Sequence, residues 1–182
     1  LPDATFSEEG DPITSLVRIE VSDPPLCPRY TARAVTDVSI APSPAWMQSR
    51  LSLCGIRPIN NVVDVTNYLL LETGQPMHAF DLDRLRGRRI DVRAPGETMT
   101  FVTLDGSERR IEPGMLLIWD GEGPVAVAGV MGGQNSEVTD STTRVLFESA
   151  HFVPASIRRT ARRLGLSSES SYRFERGVDP AG

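Results

Sequence analysis

Three polar side chains that can do chemistry lie close together near the middle of the chain. Thr66 and Asn67 belong to an apolar helical pattern, and His78, one of two histidines, follows shortly after it. An imidazole, a hydroxyl and a carboxamide can together orient a water molecule and a polar substrate, and histidine can also transfer protons. Burying such groups unpaired costs on the order of a few kcal/mol each, so we expect them to bond to one another or to line a pocket. From the residues alone, a packed histidine beside surface or capping residues is the alternative.

Two further positions indicate a binding pocket. Glu148 is the acidic residue of an otherwise apolar strand pattern, so it is either an edge residue facing solvent or a buried acceptor. Gly129 begins the run Gly-Val-Met-Gly-Gly, where the missing side chains let a ligand or a backbone approach closely. No helical pattern follows this run, so it is not a dinucleotide-binding fingerprint.

Composition restricts the chemistry. All 19 positive charges are arginines, so the chain offers no lysine for Schiff-base formation, general-base catalysis or a phosphate-binding loop. Two histidines and two distant cysteines argue against a structural zinc site. Cys27 and Cys54 are too few for a disulfide framework, and we predict them to be reduced core thiols of a cytosolic protein.

Charge and length narrow the class of protein. The net charge of −5 argues against a domain that binds nucleic acid over its whole surface. Residues 151–182 nevertheless contain six arginines against three acidic residues, which permits a local basic patch.

No apolar run reaches the ~20 residues of a membrane-spanning helix, so we expect a cytoplasmic protein without a membrane partner. Residues 1–15 are predicted to be a linker from a preceding domain, and residues 16–182 a single domain.

A helix followed by a strand is predicted to position the histidine. Asn60 and Asn61 provide a helix cap after an Arg-Pro pair, and apolar residues follow at near-helical spacing. The tripeptide Gly74-Gln75-Pro76 ends this helix, and residues 77–80 have a strand pattern. His78 is therefore expected just beyond a helix-to-strand turn.

Two more helices are predicted. The first has Ser43 as its cap, Pro44 at its first position and Gly55 at its end. Its inner face is predicted to contain Trp46, Met47, Leu51 and Cys54. The second runs from Pro154 to Gly165. Its outer face carries Arg158, Arg159, Arg162 and Arg163 and is either solvated, paired with acidic residues or directed at phosphates.

The remaining patterns are mostly strands. They cover residues 16–21, 30–40, 89–93, 99–104 with 110–111 around an Asp-Gly turn, 115–119, 124–129 and 144–150. Their order is meandering rather than βαβ. This predicts an α+β fold with a mostly antiparallel sheet or sandwich and a few packed helices.

Ordered motifs over nearly the full chain indicate a family. The chain contains, in this order, APSPAWMQ, RPINNVVDVTNY, QPMHAFD, LDG, AGVMGG, SIRRTARRLGL and YRFERGVDP. In these motifs it resembles the editing-site domain of the bacterial phenylalanyl-tRNA synthetase β subunit. The resemblance implies the editing-domain fold, with two intertwined sublobes around a single core. It also implies hydrolysis of tyrosine wrongly esterified to the phenylalanine tRNA.

The same resemblance implies partners and cofactors. The implied partners are the acceptor end of tRNA(Phe), the synthetase α subunit and the remaining β domains, in an expected α2β2 enzyme. Aminoacylation, with its ATP and Mg, belongs to another module of that synthetase. No cofactor is implied for editing.

Individual roles are implied by position within these motifs. Catalytic roles around the ester and the terminal ribose are implied for His78, Thr66 and Asn67. Substrate-binding roles are implied for Arg57, Gly129, Glu148, Ser168 and Ser170. Within this set, Gly129 would leave room for the amino-acid side chain and Glu148 would accept the tyrosine hydroxyl. The two serines stand where the family commonly has threonine and alanine, and they keep the site small and polar.

A carboxylate in a second site solves a problem of discrimination. The synthetic pocket that accepts phenylalanine rejects the added hydroxyl of tyrosine poorly. In a second, editing site, bound phenylalanine would leave the buried Glu148 carboxylate without a hydrogen-bond donor. That penalty is on the order of 1–3 kcal/mol, or roughly ten- to a hundredfold. His78 is expected to act either as a base or as a group that positions water or ribose. The alternative function is a non-catalytic tRNA-binding or interdomain docking module, favoured by Ser168, Ser170 and the acidic balance.

Overall fold

Ten strands within residues 6–180, the part of the chain that this computed structural model describes, form three sheets. The strands are β1 (Arg18–Val21), β2 (Arg29–Val35), β3 (Met77–Asp81), β4 (Arg89–Arg93), β5 (Met99–Val102), β6 (Glu108–Ile111), β7 (Leu117–Trp119), β8 (Pro124–Val127), β9 (Met131–Gly132) and β10 (Val145–His151). The helices are α1 (Ile13–Leu16), α2 (Ala45–Leu53), α3 (Asn61–Thr73), α4 (Pro154–Leu164) and α5 (Glu169–Phe174).

The sheet topology confirms the predicted α+β class. Sheet A has the order β1-β4-β7-β8-β9, sheet B has the order β2-β10-β3, and sheet C is the hairpin β5-β6. The pairs are antiparallel except β1 with β4, a parallel pair that the sequence pattern did not predict. No helix in the described range is long and apolar enough to cross a membrane.

Sheet B lies between two apolar layers. Because side chains alternate along a strand, Phe80 and Leu146 point to one face and join the main core with sheet A and α4. Ala79 and Val145 point to the other face, where they cluster with Val62 of α3. One face of sheet B is therefore packed against sheet A, and the other is partly covered by α3.

Helix α3 forms as predicted. The side-chain oxygen of Asn60 accepts hydrogen bonds from the backbone nitrogens of Val62 at 3.1 Å and Val63 at 2.9 Å. This satisfies two of the donors that a helix N-terminus leaves unpaired. The helix ends at Gly74, whose φ of +79° is the left-handed conformation that glycine adopts readily.

The predictions for α2 are partly wrong. Its N-cap is Pro44, and the Ser43 hydroxyl instead donates to Asp64 Oδ2 at 2.5 Å, because that fully buried carboxylate needs donors. Met47 and Leu51 are buried as predicted, whereas Trp46 is 52% exposed. Cys54 lies beyond the last helical turn and is exposed. Only Cys27 is a buried thiol, and both cysteines are free.

Several boundaries also differ from the predictions. Residues 13–16 form α1, so the strand predicted from residue 16 starts at Arg18. Residues 1–5 of the predicted linker and residues 181–182 of the predicted domain lie outside the described residues. The strand predicted over residues 30–40 ends at Val35, shortly before Asp37 adopts a φ of +57°. The short helix α5 was not predicted.

Candidate functional site

A cavity of about 60 Å³ lies between sheet A, sheet B and α5. Its walls come from β3 and β10 on one side, from β7 to β9 on the other, and from the turn after β8. Four of the predicted site residues line it: His78, Gly129, Glu148 and Ser170. This volume holds several water molecules.

His78 and Glu148 share one wall of the cavity. They are directly opposite each other in the antiparallel pairing of β3 with β10. Opposite residues in such a pair have their Cβ atoms about 4.5–5.5 Å apart on the same face of the sheet. The register therefore brings together two side chains that are distant in sequence.

Glu148 is a buried carboxyl with one oxygen bonded and one available. The residue is 5% exposed, and its Oε2 accepts a hydrogen bond from the Tyr30 hydroxyl at 3.0 Å. Its Oε1 accepts no hydrogen bond from residues 6–180 and is not sealed from solvent. Burial raises the pKa of Glu148 to about 7, while the Tyr30 hydrogen bond acts in the opposite direction. At neutral pH the carboxyl is therefore divided between its two protonation states.

Tyr30 and Cys27 beside this carboxyl are neutral at physiological pH. Burial, together with the negative charge of Glu148, raises the pKa of Tyr30 well above its ordinary value. The same two causes raise the pKa of Cys27 to about 12. The Tyr30 hydroxyl is thus a permanent donor to Glu148, a contact between residues 118 positions apart that no local pattern predicted.

His78 is a neutral imidazole with free nitrogen atoms. Protein atoms surround its ring, although part of the residue stays accessible, and this burial lowers its pKa to about 4. The ring packs edge-on against Phe80, with 4.4 Å between centroids. Neither ring nitrogen is hydrogen-bonded within the described range or sealed from solvent. The imidazole can therefore accept a hydrogen bond from water, but it is a weak base.

Gly132 determines where the imidazole lies. A Cβ atom at this position would be 2.6 Å from His78 Cε1 and 3.0 Å from Nε2. It would also be 2.9 Å from Leu104 Cδ1. The His78 ring is thus packed against the Gly132 backbone, a role that was not predicted although the Gly-Gly pair indicated a close approach.

Gly129 lies between the cavity that it lines and an aromatic cluster. Its φ is +67°, and an added Cβ would lie 3.0 Å from Cδ2 of both Phe152 and Phe174 and 3.1 Å from Ile157 Cδ1. The missing side chain faces this aromatic cluster. Gly129 therefore bounds the cavity directly and also through Phe174, which lines it as well.

Hydrogen bonds of the Ser168 hydroxyl hold α5 at the edge of the cavity. Its Oγ accepts from the Ser171 backbone nitrogen at 3.0 Å and donates to the Val130 carbonyl at 2.7 Å. The Ser171 hydroxyl accepts in turn from the Ser168 backbone nitrogen at 2.9 Å, completing a capping box. Ser168 is thus adjacent to the cavity without lining it, whereas Ser170 lines it directly.

The other predicted site residues lie outside the cavity wall. The Thr66 hydroxyl donates to the Val63 carbonyl at 2.7 Å within α3, and Asn67 is half-buried on the same helix. Arg57 is exposed between α2 and α3. Helix α3 packs against β3, so Thr66 and Asn67 lie on the element next to the strand that carries His78. Residues 6–180 contain no group of three or more His, Cys, Asp or Glu side chains suited to holding a metal ion.

Comparison with known proteins reveals close relatives. A phenylalanine–tRNA ligase β subunit from Moorella thermoacetica is 58% identical over 182 residues, which is all of this chain and 23% of that protein. The corresponding protein from Geobacter sulfurreducens is 55% identical over 180 residues, or 22% of its length. The chain therefore spans less than a quarter of the curated relatives it matches.

A solved structure and a family model complete the comparison. The fold is similar to that of an N-terminal fragment of the phenylalanyl-tRNA synthetase β subunit from Pyrococcus horikoshii, with a TM-score of 0.55 and 14% identity over 90% of this chain and 52% of that one. At this identity the similarity concerns the fold alone. The family model of the B3/4 domain matches residues 26–182, which include the whole cavity wall. The chain belongs to the B3/4 domain family.

Proposed function

We propose that this B3/4 domain is a hydrolytic proofreading site that removes tyrosine from mischarged phenylalanine tRNA. The observation that carries the proposal is the placement of His78 opposite Glu148 in one cavity wall, with polar atoms of both still available. The similarity to phenylalanine–tRNA ligase β subunits supplies the substrate class.

Recognition of tyrosine depends on Glu148. The phenolic hydroxyl of a tyrosyl group donates to Oε1, the oxygen that Tyr30 leaves unbonded. A phenylalanyl group offers no donor and leaves a buried carboxyl oxygen desolvated without a partner. The difference is on the order of 1–3 kcal/mol, and it favours cleavage of the wrong amino acid.

Hydrolysis depends on an oriented water molecule. Neutral His78 accepts a hydrogen bond from that water and directs its oxygen at the ester carbonyl. The water adds to the carbonyl, the ribose oxygen leaves with a proton, and free tyrosine is released. Roles at the ribose and the terminal nucleotide are proposed for Thr66, Asn67 and Arg57 from the family resemblance alone, since all three lie outside the cavity wall and α3 covers the other face of sheet B. The other β domains and the α subunit of the ligase are the expected assembly partners.

The proposal is tested by single-turnover deacylation of tyrosyl- and phenylalanyl-tRNA. The measurement compares the wild-type domain with His78→Ala and Glu148→Ala. The matched control is His151→Ala. His151, the second histidine of the chain, points to the face of β10 opposite to that of Glu148. We expect His151→Ala to retain cleavage of tyrosyl-tRNA. His78→Ala should lose the rate of this cleavage, and Glu148→Ala should lose the preference for tyrosyl- over phenylalanyl-tRNA.

A non-catalytic docking module is the second candidate. Three large apolar side chains on or near α2 are exposed: Trp46 by 52%, Leu53 by 88% and Ile59 by 58%. Apolar surface of this kind is typical of an interface with another domain. Complete absence of ester hydrolysis, by this domain at high concentration and by the whole ligase, would favour docking over proofreading.

A further inference from the structure

We infer that Tyr30 is a positioning residue for Glu148. Its hydroxyl holds one carboxylate oxygen, so that the other oxygen is directed into the cavity and accepts the phenolic hydroxyl of a bound tyrosyl group. This inference rests on the function proposed above and names a residue that sets its specificity.

Strand register makes the contact possible. In the pairing of β2 with β10, Tyr30 is opposite Ala150 and Glu148 is opposite Ala32. Tyr30 and Glu148 are thus diagonal neighbours on one face of sheet B, a separation that an aromatic side chain can span. Ala32 has only a methyl group, which leaves the path between them open. The resulting oxygen-to-oxygen distance is 3.0 Å.

The hydrogen bond from Tyr30 favours the ionised state of the Glu148 carboxyl and restrains its orientation. A neutral hydroxyl donating to a carboxylate forms a charge-assisted bond, roughly twice as strong as a neutral pair. It therefore favours the ionised form of Glu148 against the effect of burial. It also restrains rotation of the carboxyl group, so that Oε1 keeps a constant direction toward the cavity.

Few other groups around Glu148 change charge near neutral pH. The titratable side chains facing it are Tyr30 on β2, His78 on β3 and Cys27 just before β2. Tyr30 and Cys27 have raised pKa values and His78 a lowered one, so all three are neutral at pH 7. Sheet A and α5 contribute no titratable side chain to the cavity wall within the described range. If ligand binding changes with pH near pH 7 because a group in this cluster titrates, that group is therefore Glu148.

The test measures the binding of two stable probes to wild-type domain, Tyr30→Phe and Glu148→Ala. Each probe is a terminal adenosine whose ribose carries tyrosine or phenylalanine through an amide instead of an ester. We expect the wild type to prefer the tyrosyl probe, and Tyr30→Phe to reduce this preference at pH 7 by roughly tenfold. Affinity for the phenylalanyl probe should not fall, because a more neutral Glu148 is penalised less when it is left without a partner. In Tyr30→Phe the preference should return as the pH is raised, with a midpoint above that of the wild type.

The matched control is Tyr68→Phe. The Tyr68 hydroxyl accepts from Arg50 at 2.6 Å, outside the cavity, so its removal should leave the preference intact. An unchanged preference in Tyr30→Phe, together with a lost preference in Glu148→Ala, would overturn the inference. Equal weakening of both probes would also contradict it, because that result indicates a collapsed cavity rather than a redirected oxygen.

A separate readout distinguishes failure of the inference from failure of the proposed function. If wild-type domain shows no preference between the probes, the proofreading proposal fails. The inference is then decided by carbon-13 NMR titration of the Glu148 carboxyl. A midpoint that rises in Tyr30→Phe supports the positioning role, and an unchanged midpoint overturns it.

Discussion

Two buried titratable residues have opposite effects on stability across the acidic pH range. The pKa of Glu148 is raised from 4.5 to about 7, so its contribution to stability is complete below pH 4.5 and is lost as pH rises through 7. The pKa of His78 is lowered from 6.5 to about 4, so its contribution is complete above pH 6.5 and is lost as pH falls through 4. Between pH 4.5 and 6.5 the two contributions change in opposite directions and largely cancel.

Glu148→Gln separates these contributions. The amide has almost the same volume, stays neutral at every pH and can still accept from Tyr30. Relative to the wild type, we expect its free energy of unfolding to rise between pH 5 and pH 8 by on the order of 2–3 kcal/mol. Urea unfolding at the two pH values measures this difference. A difference that does not change with pH would show that the carboxyl is not kept neutral by burial.

Gly132→Ala is expected to displace His78. The added methyl group would overlap the imidazole at 2.6 Å from Cε1, so the ring must move. Overpacking of this kind costs about 1–3 kcal/mol, and ester hydrolysis should fall toward that of His78→Ala. Thermal unfolding and deacylation measure the two effects. Gly96→Ala is the matched control, because nothing lies within 4 Å of a Cβ there. Wild-type hydrolysis in Gly132→Ala would contradict the positioning of His78 by Gly132.

Individual elements differ in how far the sequence predicts them. Helix α3 and the hairpin β5–β6 were predicted well because their signals, the Asn60 cap and the Asp105-Gly106 turn, are local. Helix α5 has only six residues and no apolar period, so it was missed. It is defined by its capping box and by the bond from Ser168 to Val130, which depends on tertiary structure.

Ser168→Ala is expected to loosen α5 selectively. The substitution removes both the helix cap and the bond to the Val130 carbonyl. We expect a loss of about 1–2 kcal/mol, seen as faster amide hydrogen exchange in residues 169–174. Since Ser170 and Phe174 line the cavity, hydrolysis should fall as well. Ser167→Ala is the control on an exposed neighbour. Unchanged exchange in Ser168→Ala would show that the cap does not hold the helix.

At the scale of the whole molecule, the site is produced by pairing between distant segments. Family resemblance assigned roles to His78 and Glu148, but the register that places them opposite each other is non-local. The same holds for Tyr30, which reaches Glu148 from a strand 118 positions away, and for the parallel pairing of β1 with β4. The roles of all the predicted site residues, His78 and Glu148 included, stay predictions.

The arginine face of α4 is the candidate surface for tRNA phosphates. Arg158, Arg159 and Arg162 are exposed, while Arg163 pairs with Glu112 at 2.5 Å. If this face contacts tRNA, affinity should fall steeply with salt, and each arginine removed should reduce the logarithmic slope by about one. Filter binding of tRNA by Arg158→Ala and Arg159→Ala measures this, with exposed Arg18→Ala on β1 as the control. A flat salt response in the wild type would exclude the surface.

The central claim is tested most directly by the ratio of tyrosyl- to phenylalanyl-tRNA deacylation rates. It should be measured for the wild type, His78→Ala and Glu148→Ala in this domain, alone and as part of the proposed ligase. We expect tyrosyl cleavage to be favoured by roughly ten- to a hundredfold in the wild type, with the preference lost in Glu148→Ala and the rate lost in His78→Ala. Equal cleavage of both esters by the wild type, or variants that cleave as fast and as selectively, would contradict the assignment of this cavity as a proofreading site.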